Sequence, residues 1–459
     1  MEEKKMNKLF CAAFVLGIGC YAGAVPSIEP GSVEMSSVNG GASSRINYVL
    51  LGEAAVVTVD IQTNTLADAS GDWVSIGGKA VGEIKGDANK VIRTLGRKLT
   101  AVWWPANGFG CGSIPAGCIR AKVTAWPLDA PPDYMVVDLA PQKERHPKFY
   151  ESRNLLPGGL LENDDYRTSK LVMRKIPAKN VVWKMGAPVT EAHNTDSDYN
   201  YGAQELLHKV RLTEDYYIAV FEMTQGQYML FAKNNPSTQA SRTLPDSAKR
   251  PVNSLYGFET LRGRKWRSAD DYEYCWPENG HDVNQASSIG LLRSHTGIDG
   301  FDLPTDAQWE YACRAGSGAP FANGGNSETA AKKMGWFMSN VPKNEGSADG
   351  LPQVVGTRDG NGWGLYDMHG NVVEYVLDNR AADERTLGDS LVSDWSEGGI
   401  TDNPYGPPTD GNTTATRRGG SYRHSYLYAR SAAKMTGSSN WGDVYYGFRV
   451  ACPVEGLLK

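Results

Sequence analysis

Beyond its first two dozen residues the sequence has no stretch of 18 continuous apolar side chains, so no later segment reads as a membrane-spanning helix. Histidine is scarce, seven in 459 residues, and the region from 28 to 140 has none, which excludes a histidine-held metal there. An excess of positive charge is missing too. The chain carries 47 basic against 52 acidic residues, net -5, so no general field draws in a polyanion and nucleic acid is not an expected partner. Residues 28 to 140 also lack paired carboxylates, a glycine-rich phosphate loop and a nucleophile elbow, so that region reads as a spacer, docking or recognition unit. Cysteine is limited to seven. Setting aside Cys11 and Cys20 near the start leaves Cys111, Cys118, Cys275, Cys313 and Cys452, an odd set in which at least one thiol is free or pairs outside the chain. Cys111 and Cys118 bracket CGSIPAGC, which either closes as a disulfide or leaves two reduced thiols at a loop base; no second Cys/His pair follows at zinc-ligand spacing.

What is present is glycine (51), tyrosine (22) and tryptophan (12), a composition with many turns and much aromatic surface to place, in a core or on a binding face. Hydrophobic residues at 41% and charged residues at 22% describe a folding chain, and 459 residues are too many for one ordinary core. Two domains are expected. The start places Lys4, Lys5 and Lys8 before the apolar run Leu9 to Cys20, then Ala22-Gly23-Ala24, the pattern of a secretory signal peptide cut after Ala24, with Met6 an alternative start. The competing reading is a buried N-terminal helix. The expectation is a secreted or periplasmic chain.

Between 28 and 140, alternation predicts strands at Ala55 to Ile61, Ala121 to Trp126 and Tyr134 to Leu139, separated by turn formers, and hence a β-sandwich-like domain. Residues 141 to 169 are polar and turn-rich and read as a loosely packed linker; strand-like runs resume at Lys170. In the second domain two helix starts stand out. Thr224 with Gln227, and Thr305 with Gln308, have capping-box spacing, and Trp309, Ala312 and Cys313 then share one apolar helix face. After Ala315 frequent glycines imply a domain of loops and short strands.

Four ordered elements carry a resemblance. They are YIAVFEMTQGQY from Tyr217, FDLPTDAQWEYA from Phe301, GLYDMHGNVVEY from Gly364, and RGGSY from Arg418 closed by ARS at Ala429 and GFRV at Gly447. Residues 170 to 455 resemble the formylglycine-generating-enzyme, or sulfatase-modifying-factor, family. That resemblance implies a loop-rich α+β domain related to C-type lectins, following the β-sandwich-like domain, with structural calcium held by oxygen ligands. For one calcium it implies side-chain oxygens from Asn371 and Glu374 and carbonyls such as those of His369 and Val372; for a second, Asn340, Val341 and Asp349, although the loop before Asp349 is shorter than the family's.

The family's enzymes oxidise a substrate cysteine to formylglycine with copper held by two cysteines, because soft thiolates select reduced copper. Here the corresponding segment, Tyr422-Arg423-His424-Ser425-Tyr426-Leu427-Tyr428, is shorter and has no cysteine, so copper is not expected. Cys452 reads as a small buried hydrophobe. The related sulfoxide synthases hold iron through histidines of a helical domain beside this fold, whereas residues 28 to 140 here have no histidine and read as β, so that mechanism is without its metal ligands there. What remains is a rebuilt loop offering Tyr422, Arg423, His424, Tyr426, Tyr428, Asn440, Trp441 and Tyr445, laid out like the variable segment of diversity-generating-retroelement targets. Half of such aromatics are expected to line the core. The leading expectation is a non-catalytic module that binds a protein or glycan; the rival is a formylglycine-generating-type oxidoreductase acting on protein cysteine, or another modifying enzyme with an altered centre using His424, Arg423 and Asp443. The sequence names neither the ligand nor the oligomeric state.

Overall fold

The computed structural model describes residues 25–455 and 457, apart from 108, 110–113, 116, 142–145, 189–190, 192–204, 206, 256, 264–282, 344–349, 381–398, 405–413 and 439–441. The expected leader, Cys111 and Cys275 lie outside the described residues, so the leader stays an expectation; Cys118 is a free, buried thiol whose Sγ donates to the carbonyls of Leu66 and Ala67, so the expected bridge from Cys118 is not formed. Among the described residues no helix is long and apolar enough to cross a membrane.

The N-terminal strands form where β-branched and aromatic residues alternate. Ser43–Leu51 and Lys98–Trp104 anchor one five-stranded sheet; Ala55–Asn64 and Ile119–Pro127 pair antiparallel over nine residues in a second, four-stranded sheet. Every second side chain points between the sheets, so Ile46 and Trp103 from one meet Val59 and Ile61 from the other, and Tyr48 and Leu50 meet Ala55 and Val57. The result is the two-layer arrangement expected for this region.

The boundary falls elsewhere than the sequence implied. Tyr134–Asp138 leaves the sandwich and pairs antiparallel with Lys170–Ile176, in a five-stranded sheet ordered Lys148–Tyr150, Tyr134–Asp138, Lys170–Ile176, Tyr216–Ala219, Ala451–Pro453. The reason is that YMVVDL is apolar on both faces: Met135, Val137 and Leu139 enter one core with Phe149, Met173 and Tyr217, while Tyr134 and Val136 enter another with Val172 and Ile218. A strand with two apolar faces needs cover on both sides. Residues 141 to 169 are accordingly no loose linker. They supply the strand Lys148–Tyr150, the 3-10 turns Arg153–Leu155 and Asp164–Arg167, and the buried Leu156, Leu160 and Tyr166.

Helices cover the two faces of this central sheet. Gln225–Ala232 and Ser288–Thr296 bring Tyr228, Phe231 and Leu292 to one core; Asp306–Arg314 brings Trp309, Ala312 and Cys313 to the other. Both predicted capping boxes are present, each Thr accepting from the backbone N–H of its Gln and each Gln accepting in return. A four-stranded sheet ordered Met435–Ser438, Thr414–Arg418, Val373–Arg380, Tyr446–Gly447 completes the domain and carries the segments of interest. The assembly is α+β.

The two domains share polar and apolar contacts. Phe149 N donates to Asn89 O at 2.8 Å, Gly158 N to Gly78 O at 3.0 Å and Thr58 Oγ1 to Glu151 Oε1 at 2.9 Å, while Val56 of the sandwich packs in the same cluster as Phe149.

Candidate functional site

The segment GLYDMHGNVVEY folds over a buried charge system. Val373–Arg380 begins inside the core, so Glu374 is fully buried, and its two carboxylate oxygens are taken by Arg449: Nη2 to Oε1 at 2.6 Å and Nε to Oε2 at 2.7 Å. Trp309 Nε1 donates to the same Oε2 at 2.7 Å. Arg449, also fully buried, spends further N–H groups on the carbonyls of Ala219 and Tyr366. Such a pair tolerates burial because every polar atom in it is met by another.

Two further carboxylates crowd this pair. Glu222 accepts from Asn371 Nδ2 at 2.6 Å and from Val372 N at 2.9 Å. Asp367, in the left-handed region at φ 58, accepts from Gly356 N at 2.7 Å through Oδ2, while its Oδ1 is buried with no hydrogen-bond partner among the described residues. Burial, then the charges of Asp367 and Glu374, push the Glu222 carboxyl well above its ordinary range. Burial also raises Asp367 to about 6, with the Gly356 N–H and the Arg449 guanidinium opposing and Glu374 adding to the rise.

The described side-chain oxygens predicted as calcium donors are spent on the protein itself. Asn371, left-handed at φ 65, accepts from Gln353 N through Oδ1, and both Glu374 oxygens serve Arg449 and Trp309. His369 is buried; its Nδ1 lies 2.7 Å from Ala429 O and Nε2 accepts from Ala322 N at 3.1 Å, and burial pushes its pKa down to about 4. Val372 is buried beside Glu222, to which its N–H donates. In the second set Asn340 Oδ1 accepts from Phe337 N at 2.6 Å, Val341 is buried, and Asp349 lies outside the described residues. Among the described residues no three of His, Cys, Asp or Glu converge as metal ligands. The side-chain donors assigned from sequence therefore do not fit a cation as assigned. At the charge system a free buried oxygen belongs to Asp367, which sequence reasoning missed together with Glu222; an acidic residue inside each apolar run, FEMT and YDMHG, was the available signal.

The rebuilt loop gathers most of its candidates around His424. Its ring lies 4.7 Å from that of Tyr445, edge to face, and 5.3 Å from Tyr428; Tyr445 meets Tyr446 at 4.9 Å, and Tyr446 meets Tyr375 at 5.6 Å. The buried Arg417 guanidinium lies over both Tyr446 and Tyr375. An aromatic series thus runs from the half-buried loop into the core. His424 Nδ1 lies 2.7 Å from Ser421 Oγ, and burial pushes its pKa down to about 4 against the opposing Asp443 charge, so the ring is neutral at pH 7. Arg423, Tyr426, Tyr428, Asp443 and Tyr445 are half-buried, Tyr426 against Phe321. Tyr422 departs from the expectation: it is 2% exposed, inside the core, with its hydroxyl donating to Val444 O at 3.3 Å. Asn440 and Trp441 lie outside the described residues. No cysteine stands between Ser421 and Tyr446, and the described thiols, Cys118, Cys313 and Cys452, are all buried and unpaired. Burial pushes Cys313 and Cys452 up to about 12, so neither offers a thiolate at neutral pH.

A helix-backed central sheet with a loop-built, charge-cored face defines a sulfatase-modifying-factor type of domain. The chain belongs to that family: residues 171–454 match the model described as sulfatase-modifying factor enzyme 1-like domain. Among curated proteins it is similar to the formylglycine-generating enzyme of Mycobacterium tuberculosis, 31% identical over 218 residues, covering 42% of this chain and 69% of that enzyme. It is also similar to a protein named chaperone protein LppX of Paenibacillus barcinonensis, 26% identical over 181 residues, where the match takes in 35% of this chain and only 61% of that relative. Among solved structures, Treponema denticola variable protein 1 matches at 22% identity and a TM-score of 0.44, over 62% of this chain and 95% of that one.

Proposed function

We propose that this chain is a non-catalytic binding module of the sulfatase-modifying-factor family, taking a protein or glycan ligand on the rebuilt loop. The observation that carries the reading is the half-buried cluster of Arg423, His424, Tyr428 and Tyr445, in a loop without any thiol. Stiff rings bury large area at low entropic cost, and a charged rim gives selectivity. Arrays of glycans and peptides probed with the full chain and with Arg423→Ala and Tyr445→Ala variants test it. A ligand held by the parent and lost by both variants supports the reading; a ligand held equally by all three defeats it.

One observation favours the catalytic rival: Asp443 acts electrostatically on His424, which is bonded to Ser421. Two others weigh against it. Ser421 is fully buried, and its hydroxyl also accepts the backbone N–H of Arg423, which makes the pair a brace for the turn. We also propose a structural calcium ion at the charge system, with Asp367 in place of Asn371 as side-chain donor. Three carboxylates around one guanidinium, with one oxygen unmet, favour an added positive charge.

A further inference from the structure

A cavity of about 1110 Å³ lies away from the loop, at the junction of the two domains. The sandwich contributes Lys79, Lys85 and Lys90 to its wall, and the central-sheet domain contributes Lys148 and Lys170. Against these five cations stand three carboxylates, Asp60, Glu83 and Asp138. Tyr150 and Tyr166 line it from the second domain, and Gly82, Gly86 and Gly158 add backbone to the wall.

The cavity is built into the junction. The Gly158–Gly78 hydrogen bond and the Lys79–Glu162 ion pair at 2.6 Å tie the domains on one side, and the Phe149–Asn89 bond ties them on the other. Its lysines already hold local partners, Lys90 with Asp87 and Lys170 with Asp165, at positions about 29% exposed or less. Exposed or half-exposed pairs of this kind are weak, so a ligand anion can take the ammonium over at little cost.

The lining selects by chemistry. Lysines without any arginine suit separated point charges better than the bidentate grip that phosphate esters favour. Carboxylates interleaved with them repel a dense polyanion but accept hydrogen bonds from hydroxyl groups. A ligand rich in hydroxyls that also carries a few spaced negative charges satisfies both. The volume is above that of an ordinary small-ligand pocket and suits several sugar rings.

We propose that the interdomain cavity binds an acidic oligosaccharide, with lysines from both domains on its carboxylates and Glu83 or Asp138 accepting from its hydroxyls. The N-terminal domain is thereby half of a second binding site, independent of the loop at Arg423 to Tyr445.

Isothermal titration of the full chain with galacturonic-acid oligomers of four to six residues tests this, with neutral glucose oligomers, poly-glutamate and single-stranded DNA as the other arms. The result expected is binding of the uronic oligomers in preference to all three, weakened about tenfold or more by the Lys90→Gln/Lys170→Gln double variant, weakened by added salt, and unchanged by Arg423→Ala. Tyr150→Phe, which keeps the ring in place, is the second variant and loses affinity about fivefold if its hydroxyl meets the ligand. Failure of the uronic oligomers to bind at millimolar concentration, binding that both cavity variants leave intact, or stronger binding of poly-glutamate or DNA overturns the proposal.

Discussion

Glu374 and Arg449 form a closed, fully buried pair, with both carboxylate oxygens met by one guanidinium at 2.6 and 2.7 Å. They join an inner strand of the four-stranded sheet to the GFRV segment near the end of the chain, and Trp309 ties in the helix. Glu374→Gln leaves a buried cation short of its partner, and the expected cost is about 3–5 kcal/mol of unfolding free energy. Urea titration reads it; a loss under about 1 kcal/mol shows that the pair is dispensable.

Asp367 and Glu222 make a prediction of definite sign. Their folded-state pKa values lie above the ordinary carboxylate range, Asp367 at about 6, so the folded state holds protons the unfolded state releases. The stability linked to Asp367 is fully present below about pH 4 and is lost as pH rises through about 6. The calcium ion proposed for this place would compensate for the lost proton. Its stabilising effect, read as the melting-temperature difference between calcium and chelator, is therefore larger at pH 7.5 than at pH 5 and is abolished in Asp367→Asn. Equal effects at both pH values, or an unchanged effect in the variant, contradict the assignment.

His369 and His424 run the other way. Burial depresses both to about 4, so their contribution is fully present above about pH 6.5 and is lost as pH falls towards 4. Each supplies up to about 3 kcal/mol across that window. Proton-detected NMR of the imidazoles checks this directly: these two rings stay neutral at pH 5.5. A midpoint near 6.5 for either one shows it to be solvated.

Gly78 approaches the second domain so closely that a Cβ there would sit 2.0 Å from Leu156 O. Gly78→Ala must shift backbone at the junction, at an expected cost of about 1–3 kcal/mol, and loosens the Gly158–Gly78 hydrogen bond. Limited proteolysis should then cut sooner between residues 141 and 169. An unchanged cleavage rate shows that the contact does not hold the domains.

Local signals were the legible ones. Thr224 with Gln227 and Thr305 with Gln308 announced their helices because a capping box is written within four residues, and the strand at Ala55 was visible in its β-branched run. The family fold was legible from its ordered motifs. The domain boundary was not, because Tyr134–Asp138 pairs with a strand more than thirty residues onward, and alternation does not name a partner. Asn371 and Glu374, expected as calcium donors, lie at the charge system, and which oxygen stays free there depends on Arg449, Gln353 and Gly356, all distant in sequence. Tyr422 shows the same limit: an aromatic in a binding loop and one in the core look alike until its neighbours are known.

The rebuilt loop is proposed to bind and not to oxidise. The most direct measurement incubates the full chain with copper, oxygen, a thiol reductant and a sulfatase-type cysteine peptide, and follows peptide mass alongside peptide binding. The expected result is no conversion of the cysteine to the aldehyde, and a ligand interaction that Arg423→Ala and Tyr445→Ala remove while the melting temperature holds. Catalytic turnover of the cysteine to formylglycine would contradict it.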